Sequence, residues 1–119
     1  MAFFLAKIIY QVICGDGDHT PQFDEQFRLI ASGDYTTAIN KAKMIGLQEQ
    51  HSFYNQKQKL VQWKFIDVCE LYIIDDYADG TEIISTIRER YDAHFYIEEV
   101  HQKALKLQQH EPYSFLQAY

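Results

Sequence analysis

The first segment of the chain, residues 3–14, constrains the fold most strongly because its side chains follow a period of two. All its even-numbered positions are apolar: Phe4, Ala6, Ile8, Tyr10, Val12 and Cys14. The odd-numbered positions mix aliphatic residues with Lys7 and Gln11. Successive side chains of a β-strand point to opposite faces of a sheet, so this alternation predicts a strand with one fully buried face. We expect a central strand.

A second strand is predicted at residues 22–31. One of its faces would hold Phe23, Phe27, Leu29 and Ala31, and the other Gln22, Asp24, Gln26 and Arg28. The turn-rich residues 15–21 (GDGDHTP) separate it from the first strand. Such a connection favours an antiparallel hairpin with a long loop, and we expect a helix to cover its apolar face.

The first helix is predicted to begin after Asp34, whose carboxylate can accept hydrogen bonds from the unpaired amides of a first helical turn. Small and apolar residues then recur every three or four positions: Tyr35, Ala38, Ile39, Ala42, Ile45 and Gly46. This narrow stripe predicts a helix that lies close to the sheet and frays near His51.

Two later segments also alternate. From residue 60, Val61, Trp63 and Phe65 would point inward, with a bend or bulge near Asp67 and Val68 before the strand continues. Residues 81–91 predict a further strand. A last helix is expected from Asp92 to about Gln109, because apolar residues recur along one helical face.

Together these segments predict an α+β fold in the order ββαββ(β)α. We expect a two-layer sandwich, with an antiparallel sheet of four or five strands and two helices on one face. The length of 119 residues is typical of one domain, so residues 1–119 are predicted to form a single domain. The aromatic tail at 112–119 would fold back or dock onto a partner.

Charge and cysteine content narrow the functional classes. With 17 acidic and 11 basic residues, the net charge of −6 disfavours binding to nucleic acid or to an anionic membrane. The two cysteines cannot form a disulfide framework, and no apolar run approaches the roughly 20 residues that span a bilayer. The N-terminus lacks the features of a secretory signal. We therefore predict a cytoplasmic protein.

A resemblance to a known family rests on two blocks. Residues 13–26 (ICGDGDHTPQFDEQ), with RLI at 28–30, resemble a family of short uncharacterised bacterial proteins recorded only as a domain of unknown function. VQWKF at 61–65 and DGTEI at 79–83 resemble the second half of that family, so the resemblance extends to about Arg90. It implies a bacterial, cytoplasmic protein. No activity is attached to the family, so no site residue follows from it.

The loop after the first strand is a candidate ligand or metal site. It holds four potential ligands within six residues: Cys14, Asp16, Asp18 and His19. A calcium loop would need further oxygen ligands at fixed spacing, and a zinc site would need four close N or S ligands. The alternative is structural, because glycines supply unusual backbone angles while the Asp and Thr side chains bond the turn's own amides. We favour the structural interpretation and expect no cofactor.

Other catalytic patterns are weak. His94, Glu98 and His101 share one face of the last helix, but a di-iron site would need a second Glu-x-x-His helix. The sequence contains no Gly-x-Ser-x-Gly elbow, and the loop glycines lack the Gly-Lys-Ser/Thr of a phosphate loop. The sequence therefore does not favour an enzyme, and we name no catalytic residue.

The second face of the sheet is the candidate interface. Polar and charged residues assigned to it are Lys7, Gln11, Gln26, Arg28, Gln62, Lys64, Arg88 and Arg90. Aliphatic and aromatic residues would lie among them, Ile9 included. The interface candidates are Lys7, Ile9, Gln11, Arg28, Lys64, and Phe115 and Tyr119 of the tail. This mixture suits a subunit interface or a shallow binding surface rimmed by charge. The alternative is an open amphipathic face with incidental aliphatic residues. We predict a non-enzymatic interaction module that forms a homodimer. The alternative is a small-ligand- or metal-binding accessory protein, or a weak enzyme, that uses the Cys14 to His19 loop.

Overall fold

The computed structural model describes residues 2–74 and 78–109 and divides into two compact units, 1–84 and 85–119. The first unit contains the strands β1 (Ala2–Cys14), β2 (Gln22–Ser32), β3 (His51–Tyr54) and β4 (Leu60–Ile74), and the helix α1 (Tyr35–Gln48). The second contains α2 (Ala93–Gln108). The order ββαββα and the antiparallel sheet confirm the predicted α+β class. That residues 1–119 form one domain stays a prediction.

The four strands form one antiparallel sheet in the order β2-β1-β4-β3. β1 is a central strand, as its pattern predicts. In its register with β2, Phe4 lies opposite Ile30 and Tyr10 lies opposite Asp24. Paired residues of antiparallel strands point to the same face, so this register fixes what each side of the sheet carries.

One face of the sheet is covered by α1, which packs against β1, β2 and β4. The even-numbered side chains of β1 from Phe4 to Val12 are all buried there, as predicted, while Cys14 at the end of the strand is half-buried. Tyr10 donates a hydrogen bond of 2.8 Å from its hydroxyl to the carbonyl oxygen of Gly46 on the helix. A Cβ at Gly46 would overlap the Phe65 ring, so a glycine lets the helix approach β4 closely.

Both helices begin at the predicted caps. The Asp34 carboxylate accepts hydrogen bonds from the Thr37 amide (2.7 Å) and the Thr37 hydroxyl (3.0 Å). These bonds stabilise the ionised form and hold the pKa of Asp34 below its ordinary value. Asp92 accepts likewise from the Phe95 amide at 2.9 Å. None of the described helices is long and apolar enough to cross a membrane.

The predicted inward face of β2 is wrong. Even-numbered positions of β2 lie opposite the buried positions of β1, so Asp24, Gln26 and Arg28 point to the side of α1. Phe27 and Leu29 point away and are 47% and 60% exposed. The predicted alternation of β2 is confirmed, but its apolar face is not the one that the helix covers. Polar side chains are tolerated beside the helix because they bond to each other, as described below.

The fourth strand is not the one predicted. Residues 81–91 form no strand, and the short β3 pairs with β4 instead. A period of two in the sequence indicates the two faces that a strand would have. A strand also needs a neighbouring strand whose backbone groups are free to pair with it, and the period of two does not reveal whether one is present. The predicted irregularity in β4 is confirmed, since its register with β1 shifts on either side of Asp67 and Val68, and Ile66 and Cys69 have no partner on β1.

Candidate interaction surface

The face of the sheet opposite α1 is formed by the odd-numbered positions of β1 and β2 and by their partners on β4. We call it the open face. It carries Phe3, Leu5, Lys7, Ile9, Gln11 and Ile13 of β1, Phe23, Glu25, Phe27, Leu29 and Ala31 of β2, and Gln62, Lys64, Asp67, Glu70, Tyr72 and Ile74 of β4.

The open face has an apolar end and a polar end. In the register of the three strands, Leu29, Leu5 and Tyr72 lie side by side. The next row toward the same end consists of Ala31, Phe3 and Ile74. Rows toward the other end mix polar and apolar residues, with Glu25, Ile9 and Asp67 in one row and Phe23, Gln11 and Lys64 in the next. Large apolar side chains and both signs of charge therefore lie on one accessible surface.

Lys7 lies at the centre of the open face. Its ammonium is 2.7 Å from a carboxylate oxygen of Glu25 and 3.2 Å from one of Glu70, and it lies 5.7 Å from the centroid of the Phe27 ring. Hydrogen bonds to Glu25 and then Glu70 raise the pKa of Lys7 above its ordinary value. The Tyr72 hydroxyl donates to Glu70, and this bond, followed by that of Lys7, lowers the pKa of Glu70. The central charges are thus already paired within one chain.

A cavity of about 420 Å³ lies at the apolar end of the open face. The sheet contributes Phe3, Leu29 and Ile74 to its lining. The remaining lining comes from the segment 78–83, which includes Ile83. Gly80 turns this segment with a φ of +85°, a left-handed conformation that favours glycine. The apolar end is therefore a depression with an apolar floor, and a protruding side chain could occupy it.

The structure places the predicted interface residues of the sheet on two different faces. Lys7, Ile9, Gln11 and Lys64 share the open face. The assignment of Arg28 to that face is wrong, because Arg28 lies opposite Ala6 and points to the side of α1. The tail candidates, Phe115 and Tyr119, lie outside the described residues.

The loop of Cys14, Asp16, Asp18 and His19 is held by its own hydrogen bonds. The Cys14 amide donates to Nε2 of His19 at 3.0 Å, and Nδ1 of His19 lies 2.9 Å from the Thr20 carbonyl oxygen. Since an amide can only donate and a carbonyl can only accept, the ring is the neutral Nδ1–H tautomer. Both ring nitrogens of His19 therefore form hydrogen bonds with backbone groups.

Two further hydrogen bonds involve the loop candidates. The Asp18 amide donates to the Asp16 carboxylate at 3.1 Å, and the Asn55 side chain donates to Sγ of Cys14 at 3.7 Å. Across residues 2–74 and 78–109, no group of three or more His, Cys, Asp or Glu could hold a metal ion. The residues of this loop thus build the turn, while their role as ligands stays an untested prediction.

A polar chain on the α1 side of the sheet was missed by the sequence analysis. Asp24 accepts hydrogen bonds from Trp63 Nε1 (3.0 Å) and Gln26 Nε2 (2.6 Å). Gln26 Oε1 accepts in turn from Arg28 Nε (3.1 Å) and Nη2 (2.9 Å). The signal was present in the sequence, because alternate positions of one strand carry Asp, Gln and Arg, which can bond along a face.

An aromatic stack lies on β3 and β4, away from the β2 edge of the sheet, and Trp63 links it to the polar chain. The rings of His51 and Trp63 are 5.1 Å apart and 12° from parallel, and Phe53 stacks on Trp63 at 6.0 Å. These residues come from β3 and β4, which pair directly. The sequence analysis missed the stack because it assigned no strand to residues 51–54.

Within unit 1, one helix thus covers one face of a four-stranded antiparallel sheet, and no described helix of the unit covers the other face. Residues 3–85 match the model of the family described as a domain of unknown function (DUF4288), and the chain belongs to this family. The predicted resemblance to a family of unknown function is confirmed, and the match coincides closely with unit 1. Neither the curated proteins nor the solved structures contain a match to the chain.

Proposed function

We propose that this protein is a non-enzymatic interaction module that works as a homodimer, with the open faces of two copies in contact. The observation that carries the proposal is the exposure of large apolar side chains on one surface: Phe23, Phe27 and Leu29 are 51%, 47% and 60% exposed. Leu29 adjoins Leu5 and Tyr72, and the next row of Ala31, Phe3 and Ile74 extends this apolar area. A contiguous apolar area on an accessible surface is typical of interaction sites in soluble proteins.

The size of the open face fits a second copy of the chain. Three adjacent strands are roughly 15 Å wide, and the eleven paired residues of β1 and β2 extend over roughly 35 Å. The face therefore covers about 500 Å² in projection. Side-chain relief raises the accessible area toward the roughly 800 Å² per partner of a standard stable interface.

The charges of the open face also suit self-association. Lys7 and Lys64 share it with Glu25, Asp67 and Glu70. When a two-fold axis relates two copies, each copy therefore presents positive and negative groups to the other. The pairing of Lys7 within its own chain limits the cost of burying it, because a buried charge is costly mainly when it is unpaired.

The proposed location is the cytoplasm of a bacterium. Both cysteines are free thiols, and Cys69 is exposed, which supports a reducing compartment. The surplus of acidic residues opposes nucleic acid as the partner.

The test compares two apolar-to-aspartate variants. Ile9→Asp places a charge at the centre of the open face, and we expect sedimentation equilibrium to give half the mass of the wild-type assembly. Met44→Asp is the matched control, because Met44 is 59% exposed on α1 and should leave the mass unchanged. A wild-type mass of 14.1 kDa at high micromolar concentration, or a folded Ile9→Asp variant with the wild-type mass, would refute the proposal.

A further inference from the structure

The free edge of β2 offers a second surface for self-recognition. β2 is the outer strand of the sheet, with β1 on one side and, among the described residues, no strand on the other. Its eleven residues present a row of backbone groups that can pair with another strand. Edge strands of this length invite pairing, and the side chains beside them decide which partner fits.

The polar chain on β2 leaves hydrogen-bonding capacity at both ends. Arg28 uses Nε and Nη2 within the chain, so Nη1 is not engaged in it. Asp24 accepts both of its hydrogen bonds in the polar chain at Oδ2, so its Oδ1 takes no part in the polar chain. The two charged residues lie four positions apart on the same face of the strand. A partner strand with the same two residues in reverse order would complement both.

A second copy supplies that strand. A two-fold axis perpendicular to the sheet keeps each side chain on its own face, so it pairs β2 residues of the same parity in the two copies. With the axis at Gln26, Asp24 lies opposite the partner's Arg28, and Arg28 lies opposite the partner's Asp24. On the open face the same register sets Phe23 opposite the partner's Leu29.

Other registers lack this complementarity. An axis at Asp24, Glu25 or Arg28 sets two like charges directly opposite each other, which destabilises antiparallel pairs. An axis at Phe27 sets Arg28 opposite the partner's Gln26 and forms no ion pair. Among the two-fold registers of β2, only the one centred on Gln26 forms two Asp–Arg pairs, and charge-assisted hydrogen bonds of this kind are the strongest available to such a strand.

We propose that the β2 strands of two copies pair edge to edge, antiparallel about Gln26, and so join two four-stranded sheets into one of eight strands. This contact is independent of the open face and leaves both open faces on the same side. Two such sheets can therefore also stack through their open faces, so the homodimer proposed above becomes half of an assembly of four chains with two kinds of two-fold interface.

Sedimentation of four proteins separates the two contacts. We expect four chains for the wild type, two for Arg28→Asp, two for Ile9→Asp and one for the double variant. Lys57→Asp is the control for Arg28→Asp, because it makes the same change of charge in the loop between β3 and β4 and should keep four chains. If only the open face associates, the wild type and Arg28→Asp both contain two chains and Ile9→Asp one. If only the edge associates, the wild type and Ile9→Asp contain two.

Mixing tests the register itself. Arg28→Asp carries only acidic residues at positions 24 and 28, and Asp24→Arg carries only basic ones. In the Ile9→Asp background, each variant alone should be monomeric, and an equimolar mixture should form heterodimers. The variant with both exchanges, Asp24→Arg with Arg28→Asp, should recover the homodimer. A mixture that stays monomeric while both proteins keep their far-ultraviolet circular dichroism would overturn the proposal.

Discussion

Trp63 on β4 donates a hydrogen bond of 3.0 Å from its indole Nε1 to the Asp24 carboxylate on β2, across the central strand β1. The bond links the two strands that flank β1 on the side of α1. It also ties the aromatic stack of β3 and β4 to the polar chain of β2. The chain contains one tryptophan, so this contact can be addressed without interference from another indole.

The first prediction concerns this bond. Trp63→Phe removes the donor and keeps an aromatic ring for the stack with His51. We expect a loss of about 1–2 kcal/mol in the free energy of unfolding, the usual cost when a half-buried polar partner is removed. Phe53→Leu, which weakens only the stack, should cost less, about 0.5–1 kcal/mol. Urea unfolding followed by circular dichroism measures both, and equal losses would assign the stability to the stack rather than to the bond.

The second prediction concerns the close approach of α1 to β4. Gly46→Ala places a methyl group into the Phe65 ring. We expect a loss of about 1–3 kcal/mol, because overpacking forces the helix or the ring to shift. The control is Gly33→Ala, where an added Cβ meets no atom within 4 Å. Gly46→Ala with the stability of the control would show that the helix does not lie against β4 as described.

The third prediction concerns pH. The folded state lowers the pKa of Asp34 through its hydrogen bonds with Thr37, so the unfolded chain binds the proton more readily. The stability that this carboxylate contributes is complete above its ordinary pKa of 3.8 and is lost as the pH falls through the lower folded value.

The matched variant is Asp34→Asn, which keeps a capping oxygen but removes the charge. Urea midpoints should fall less for Asp34→Asn than for the wild type as the pH is lowered below 3.8. Parallel curves for the two proteins would contradict the assigned role of the ionised cap.

The fourth prediction concerns His19. The neutral Nδ1–H tautomer places the unprotonated nitrogen at Nε2, where it accepts from the Cys14 amide. Nitrogen-15 NMR of the imidazole should show this tautomer, and adding zinc should leave the signals unchanged. A shift of the His19 nitrogens with one equivalent of zinc would instead support the ligand-binding alternative for the Cys14 to His19 loop.

The sequence predicted the parts of the fold in which local pattern and tertiary burial agree. β1 is covered by α1 on one side and flanked by strands at both edges, so its even positions from Phe4 to Val12 are all buried. Asp34 and Asp92 were identifiable because capping is a local interaction within one helical turn.

The errors occurred where the outcome depends on a partner distant in sequence. β2 has an apolar face and a polar face, and its own residues do not tell which one meets a helix. The register with β1 decides this, and it turned Arg28 away from Lys7. β3 was missed because four exposed residues carry almost no periodic signal. As a result, the open face was predicted in part, while the polar chain and the free edge of β2 became visible only in the structure.

The most direct measurement is hydroxyl-radical footprinting of the wild-type protein across a dilution series. Phe27 and Tyr72 lie on the open face, and we expect their oxidation rates to fall several-fold as the chains associate. Met44 on the opposite side of unit 1 should react at a constant rate throughout. Unchanged rates at Phe27 and Tyr72 in a sample that sedimentation shows to be associated would contradict the central proposal, because the open face would then not be where the copies meet.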